Sequence, residues 1–273
     1  MFRKSILLAQ DHDQVLIKYE LLSSPAPVKL VLKPFLAFRN THSLTYQNSE
    51  ANTRGNAIQG GMSFRMYANF PDLNLQISDS KAKFVNEPYW NNNITYSDEY
   101  RRGFDCREDL LVPGWFECSL KEGGSVVLSA SLSQEETASL KRRFTSGVKA
   151  IGEISGYRDQ LRRCADSLIT DHNGRKKINA GLTWMYTGLL RETLVSLSGL
   201  ALYGLDSPKM FEEILDNLIA DQQERLFRRT TQVEAPLYMA CTLQDYIDYG
   251  ADEKAVWKKY GVIMRGIIES YLP

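Results

Sequence analysis

Ser125-Val-Val-Leu-Ser-Ala-Ser-Leu-Ser-Gln-Glu-Glu136 is the stretch in which the chain changes its hydrophobic period. Val126–Ala130 still reads as a strand and carries on a period of two that runs through everything upstream. Val15, Ile17, Tyr19 and Leu21 alternate with Leu16, Lys18 and Glu20, and Val28, Leu30 and Leu32 alternate with Lys29, Val31 and Lys33. The habit returns around Phe64–Tyr67, Leu73–Ile77 and Phe116–Leu120. Turn residues separate these runs: Pro25, Pro27, Gly60-Gly61, Pro71-Asp72 and Gly123-Gly124. Many short strands joined by polar turns predict an antiparallel β-sandwich over residues 1–132.

Beyond Ser133 the period is that of a helix. Ser133 followed by Glu135 and Glu136 is a capping signal, read as a short helix in a linker over 133–156. From 157 to 273 three apolar stripes follow. They are Tyr157, Leu161, Cys164, Ala165, Leu168 and Ile169; then Phe211, Ile214, Leu215, Leu218 and Ile219; then Val256, Tyr260, Ile263, Met264, Ile267, Ile268 and Tyr271. Ser207 and Pro208 stand as N-cap and first helical residue of the second. Glu192–Tyr203 and Ala235–Tyr249 are apolar around most of their circumference, the mark of helices buried between others. At least five helices in hairpin order are expected.

Bulk properties narrow the partners. Lys+Arg and Asp+Glu both count 33, so no electrostatic footprint for nucleic acid or an anionic membrane exists. No run of about 18 apolar residues could span a bilayer. Cys106, Cys118, Cys164 and Cys241 lack CxxC spacing, and His12, His42 and His172 form no HExxH pair, which argues against zinc. Reduced thiols in a cytoplasmic protein are the plain reading, and no cofactor is implied. Two aromatic, amide-rich stretches, Pro88-Tyr-Trp-Asn-Asn-Asn93 and Thr183-Trp-Met-Tyr-Thr-Gly188, suit sugars, whose C–H faces stack on rings while their hydroxyls need donors and acceptors. On the residues alone, ordinary packing and turn chemistry is the plainer account of both.

Several segments, in order, resemble the glycogen-debranching amylo-α-1,6-glucosidases of bacteria and archaea. Pro34-Phe-Leu-Ala-Phe-Arg-Asn-Thr-His-Ser-Leu-Thr45 is close to that family's P-x-L-A-F-R-D-x-H-S-L-T run. Glu99-Tyr-Arg-Arg-Gly-Phe-Asp-Cys-Arg-Glu-Asp-Leu110 and Pro113-Gly114 also match. In the helical half the matches are Ala180-Gly-Leu-Thr-Trp184, Arg191-Glu-Thr-Leu-Val-Ser-Leu-Ser-Gly-Leu200 and Val233-Glu-Ala-Pro-Leu237. The resemblance implies a glucan-enzyme sandwich followed by the first helices of an incomplete (α/α)6 toroid. It implies hydrolysis, with inversion, of the α-1,6 bond that holds a glucosyl stub on glycogen or another branched α-glucan. Twelve helices with their loops need roughly 200 residues. Tyr157 to Pro273 is too short for that, so a fragment is expected, inactive alone, with the general acid and base beyond Pro273.

By the same resemblance the substrate-binding candidates are Trp184, Arg191, Glu192 and Glu234, joined on the β side by Trp90 and Asn91. Each has a plainer alternative. Trp184 also suits an anchor at the start of a helix. Glu192 and Glu234 also suit the positive end of one. Asp105, Glu108 and Asp109 read as a solvated acidic turn, and His42 as a hydrogen-bonded loop residue. Family members carry aspartate where Glu192 and Glu234 stand, and the Trp184–Arg191 segment is one residue longer than usual and lacks the family's second tryptophan. An added methylene displaces each carboxylate by about 1.5 Å, enough to matter for alignment. A catalytically silent glucan-binding or regulatory relative is therefore the rival expectation.

Overall fold

The computed structural model describes residues 1–9, 12–181, 188–227 and 233–272. It divides into two compact units, Met1–Glu153 and Ile154–Pro273. The first unit holds β1 (Phe2–Leu8), β2 (Gln14–Leu21), β3 (Val28–Leu32), β4 (Gly55–Ile58), β5 (Gly61–Phe64), β6 (Leu73–Ile77), β7 (Lys83–Val85), β8 (Tyr89–Thr95), α1 (Ser97–Arg102), β9 (Arg107–Val112), β10 (Trp115–Leu120), β11 (Ser125–Ser131) and α2 (Leu140–Ile151). A six-stranded sheet runs β1-β2-β11-β6-β5-β4, a three-stranded sheet runs β3-β10-β7, and β8 and β9 form a separate ribbon. The expected antiparallel strands are present.

Between the two sheets lies one apolar core, with Leu21, Phe64, Leu75, Ile77, Val126 and Leu128 from the larger sheet and Leu32, Phe116, Cys118 and Leu120 from the smaller. Phe84 meets Phe64 and Phe116 edge-on or tilted, with centroids 5.9 and 4.9 Å away. β11 has a near-continuous apolar run because both of its faces are covered. Val126 and Leu128 enter the sandwich, while Val127 joins Leu7, Leu16, Leu140 and Phe144 under α2. Burying each such side chain stabilises by about 1.5–3 kcal/mol. Leu16, which the alternation put on a polar face, is 1% exposed for the same reason.

The segment read as a linker is thus partly a layer of the first unit. The buried Gln76 carboxamide donates to the Glu135 carbonyl at 2.8 Å and accepts from its N–H at 2.7 Å, tying the exit from β11 to the sheet. Ser133 caps nothing: α2 starts after Ser139, and the Ser133 N–H donates to the Ser131 hydroxyl instead. Glycine is required at Gly114, between β9 and β10. Its φ is +139°, and a Cβ there would lie 2.0 Å from the Val85 carbonyl oxygen.

In the second unit come α3 (Tyr157–Ser167), β12 (Ile169–His172), β13 (Arg175–Ile178), α4 (Leu190–Leu197), α5 (Pro208–Phe227), α6 (Tyr238–Asp248) and α7 (Glu253–Tyr271). α4 runs on as a π-helical segment, Ser198–Gly204. The Ser207 hydroxyl accepts from Met210 N–H at 3.3 Å, so the cap and the proline entry of α5 are as expected. Phe211, Ile214 and Leu215 are at most 1% exposed and pack with Leu194, Leu197, Leu202, Met239, Leu243 and Tyr260. The first stripe differs. Tyr157, Leu161 and Cys164 are exposed, only Ala165 of α3 is buried, and Ile169 begins a strand. The β12–β13 hairpin turns at Asn173-Gly174, with φ of 55° and 76°. Asn-Gly is the pair that a two-residue turn with two positive φ angles favours. Among the described residues no helix is long and apolar enough to cross a membrane.

Candidate functional site

α4 begins at Leu190 because Leu190, Leu194 and Leu197 share a face that is buried against α5 and α6. That burial leaves Arg191 and Glu192 in the first turn, on the other side. Glu234 stands just before a tight turn over Ala235–Leu237, whose Ala235 and Pro236 are buried. The Arg191 guanidinium reaches both carboxylates, with Nη1 3.4 Å from Glu234 Oε1 and Nε 3.6 Å from Glu192 Oε1. All three groups are partly open to solvent, so the pairing itself adds little stability.

Beside them lies a cavity of about 530 Å³ lined by Arg191, Glu192, Asn179, Ser196 and Tyr238 over an apolar floor that includes Ile178 and Leu200. Glu192 Oε2 is shielded from solvent and has no hydrogen-bond partner among the described residues. A carboxylate oxygen in that position is costly unless something donates to it. Sequence reading found Arg191, Glu192 and Glu234, and they meet. Trp184 lies outside the described residues. Asn179 and Tyr238 were missed, although each directly adjoins a segment already singled out, Ala180–Trp184 and Val233–Leu237.

The β-side candidates fare differently. The aromatic, amide-rich Pro88–Asn93 stretch runs into a strand, Tyr89–Thr95, whose period is broken by a bulge between Asn91 and Ile94, where Asn93 has φ 58°. Trp90 packs against the sandwich core and Asn91 pairs with Leu110 in the ladder, which are structural positions. Glu108 and Asp109 are not a solvated turn either. Glu108, on β9, is 1% exposed. It accepts two bonds from Arg39, at 2.8 and 3.0 Å, one from Thr45 N–H at 3.1 Å and one from the Tyr96 hydroxyl. Burial alone would raise its pKa, but these donors outweigh burial and hold it below the usual carboxylate range. Asp109 accepts from Gln47 N–H at 3.0 Å and Asn93 N–H at 2.8 Å, which lowers its pKa. Together the two acids clamp the loop before β4 onto the β8–β9 ribbon. His42 sits in that loop and donates its N–H to Asn40 Oδ1 at 2.9 Å.

Residues 1–127 match the family model described as the glycogen debranching enzyme N terminal. Most of the β unit is thus similar to the N-terminal domain of glycogen debranching enzymes. No curated protein and no solved structure matches the chain. The match ends inside β11 and takes in the Arg39–Glu108 clamp. The helical unit that follows the debranching-enzyme domain therefore stands on its own geometry. An arginine, a carboxylate, an amide and a phenol lining an open cavity, with the Glu234 carboxylate on the same arginine beside it, can grip vicinal hydroxyls, the arginine donating and the carboxylates accepting.

Proposed function

We propose that this chain belongs to a debranching glycoside hydrolase and supplies glucan-recognising parts of it, its ligand a terminal glucose on an α-1,6 branch of glycogen or limit dextrin. The reading is supported by the debranching-family β unit and by the order of family-like segments through the helices. One observation carries it: Glu192 and Glu234 meet at Arg191 beside a sugar-sized cavity. In this reading α3–α7 open an (α/α)6 toroid, Trp184 offers a stacking ring, and the protein works in the cytoplasm. Arg191 draws the two glutamates to itself, which suits them to holding hydroxyls. The acid and base of an inverting hydrolysis stand apart across the bond, about 6.5–9.5 Å from each other.

Retardation in native gels containing phosphorylase-limit dextrin tests the reading. The chain is expected to be retarded, and Arg191→Ala to weaken binding by about 10-fold or more, since a hydrogen bond to a charged group contributes about 1.5–3 kcal/mol. Unretarded migration, or an Arg191→Ala protein that binds like the parent, contradicts it. Glutamate in place of the family's aspartate at both 192 and 234 favours a second reading, a glucan binder without hydrolysis. Glucose released from the dextrin marks the first; binding without release marks the second.

A further inference from the structure

The β unit contains a larger cleft, which takes Phe38 and Arg39 from the family-like Pro34–Thr45 segment and the rest of its lining from outside the family-like segments. It measures about 1050 Å³, at or above the top of the range of about 300–1,000 Å³ typical of small-molecule sites, and so has room for several sugar rings. Its wall is built where the loop clamped by Glu108 meets the segment after β5. Phe38, Tyr67 and Phe70 form one aromatic cluster, with Phe70 5.9 Å from Phe38 and 6.3 Å from Tyr67 between centroids. The Tyr67 hydroxyl accepts from the Asn48 amide at 2.9 Å, which fixes the ring. Around the rings stand the amides of Asn52, Asn56 and Asn69, all exposed.

Charge decides the ligand class. Four charged residues line the cleft, Arg39, Arg65, Glu50 and Asp72, and their formal charges cancel. Both cations are already held: Arg39 by Glu108, and Arg65 by Asp72 through two bonds of 3.0 and 2.8 Å. No cation is left to pull a phosphate or carboxylate in, and planar amides beside part-exposed rings match the alternating hydroxyl and C–H faces of a sugar.

We infer that this cleft is an oligosaccharide-binding site of the β unit, built by residues other than Arg191, Glu192 and Glu234, and that it takes a linear stretch of neutral glucan. The choice of α-glucan rests on the proposed function; the neutral, extended polyol rests on the cleft alone. A site of this kind holds the polymer by its main chain while a branch is handled elsewhere.

Calorimetric titration of the whole chain with unbranched maltohexaose tests it. The parent is expected to bind. Replacing the exposed amides together (Asn56→Ala with Asn69→Ala) is expected to weaken binding about 10-fold with an unchanged circular dichroism spectrum, and Phe70→Ala to weaken it similarly. Arg191→Ala is expected to leave maltohexaose binding unchanged. Failure of the parent to bind maltohexaose overturns the cleft. So does binding that the amide pair and Phe70→Ala both leave intact, or that Arg191→Ala removes. The limit-dextrin test of Arg191 is read in the Asn56→Ala/Asn69→Ala background, where the linear chains of the dextrin no longer bind the cleft, so the two results stand or fall separately.

Discussion

Glu108→Ala is expected to destabilise the β unit by about 3–5 kcal/mol in urea unfolding, the cost of removing one partner from a buried ion pair. The carboxylate has a fully buried side chain and satisfies four donors from three residues on two other segments. Its removal leaves the Arg39 guanidinium, 21% exposed, without its charge partner, and leaves the Thr45 N–H unpaired in a buried position. Glu108→Gln keeps the shape and loses the charge, so it should cost less. A loss below about 1 kcal/mol for Glu108→Ala would show that the loop is not held by this residue.

The same carboxylate makes stability depend on pH in a definite direction. Its folded pKa lies below the unfolded value of about 4.3. Its contribution is therefore complete above that pH and drains away as pH falls through the folded value. Asp109, also lowered, acts in the same sense. Between about pH 5 and pH 3 the parent's urea midpoint for the β unit should fall more steeply than that of Glu108→Gln. Parallel curves would contradict the assignment.

Phe211→Ala is expected to cost the helical unit about 3–5 kcal/mol, the range for emptying a large aromatic site in a packed core. The ring is 0% exposed and stacks on Tyr246, with centroids 4.5 Å apart and planes at 25°. Tyr246 is itself held by its hydroxyl, which donates to Glu212 at 2.6 Å, so it cannot easily collapse into the space left. Phe211→Leu should recover most of the loss. Near-ultraviolet circular dichroism followed through urea unfolding checks both variants, and an alanine protein as stable as the parent would refute the packing.

The sandwich was legible because alternation survives wherever a strand has one face in the core, as in Phe116, Cys118 and Leu120 of β10. It was not legible in β8, where the bulge at Asn91/Ile94 shifts the phase, or in β9, where Glu108 puts a charge on the buried side. The β12–β13 hairpin did carry its signal, Asn173-Gly174, but a helical period on either side obscured it. α3 shows the converse: Tyr157, Leu161 and Cys164 have helical spacing yet stay exposed, since spacing fixes a face and only a packed neighbour buries it. Arg191, Glu192 and Glu234 were singled out through resemblance, and they lie together. Asn179, Tyr238 and the aromatic cleft were not, because lining a cavity depends on how segments far apart in the chain approach one another.

The central claim is that a hydroxyl-binding wall forms where Arg191 gathers two glutamates. A crystal of the chain soaked with isomaltose, which carries the α-1,6 bond in its smallest form, tests it most directly. The expected result is a glucosyl ring in the cavity of about 530 Å³, with hydroxyls on Arg191 and Glu234 and a donor to Glu192 Oε2. A cavity empty of sugar, with Glu192 Oε2 bonded to a protein group instead, would contradict it.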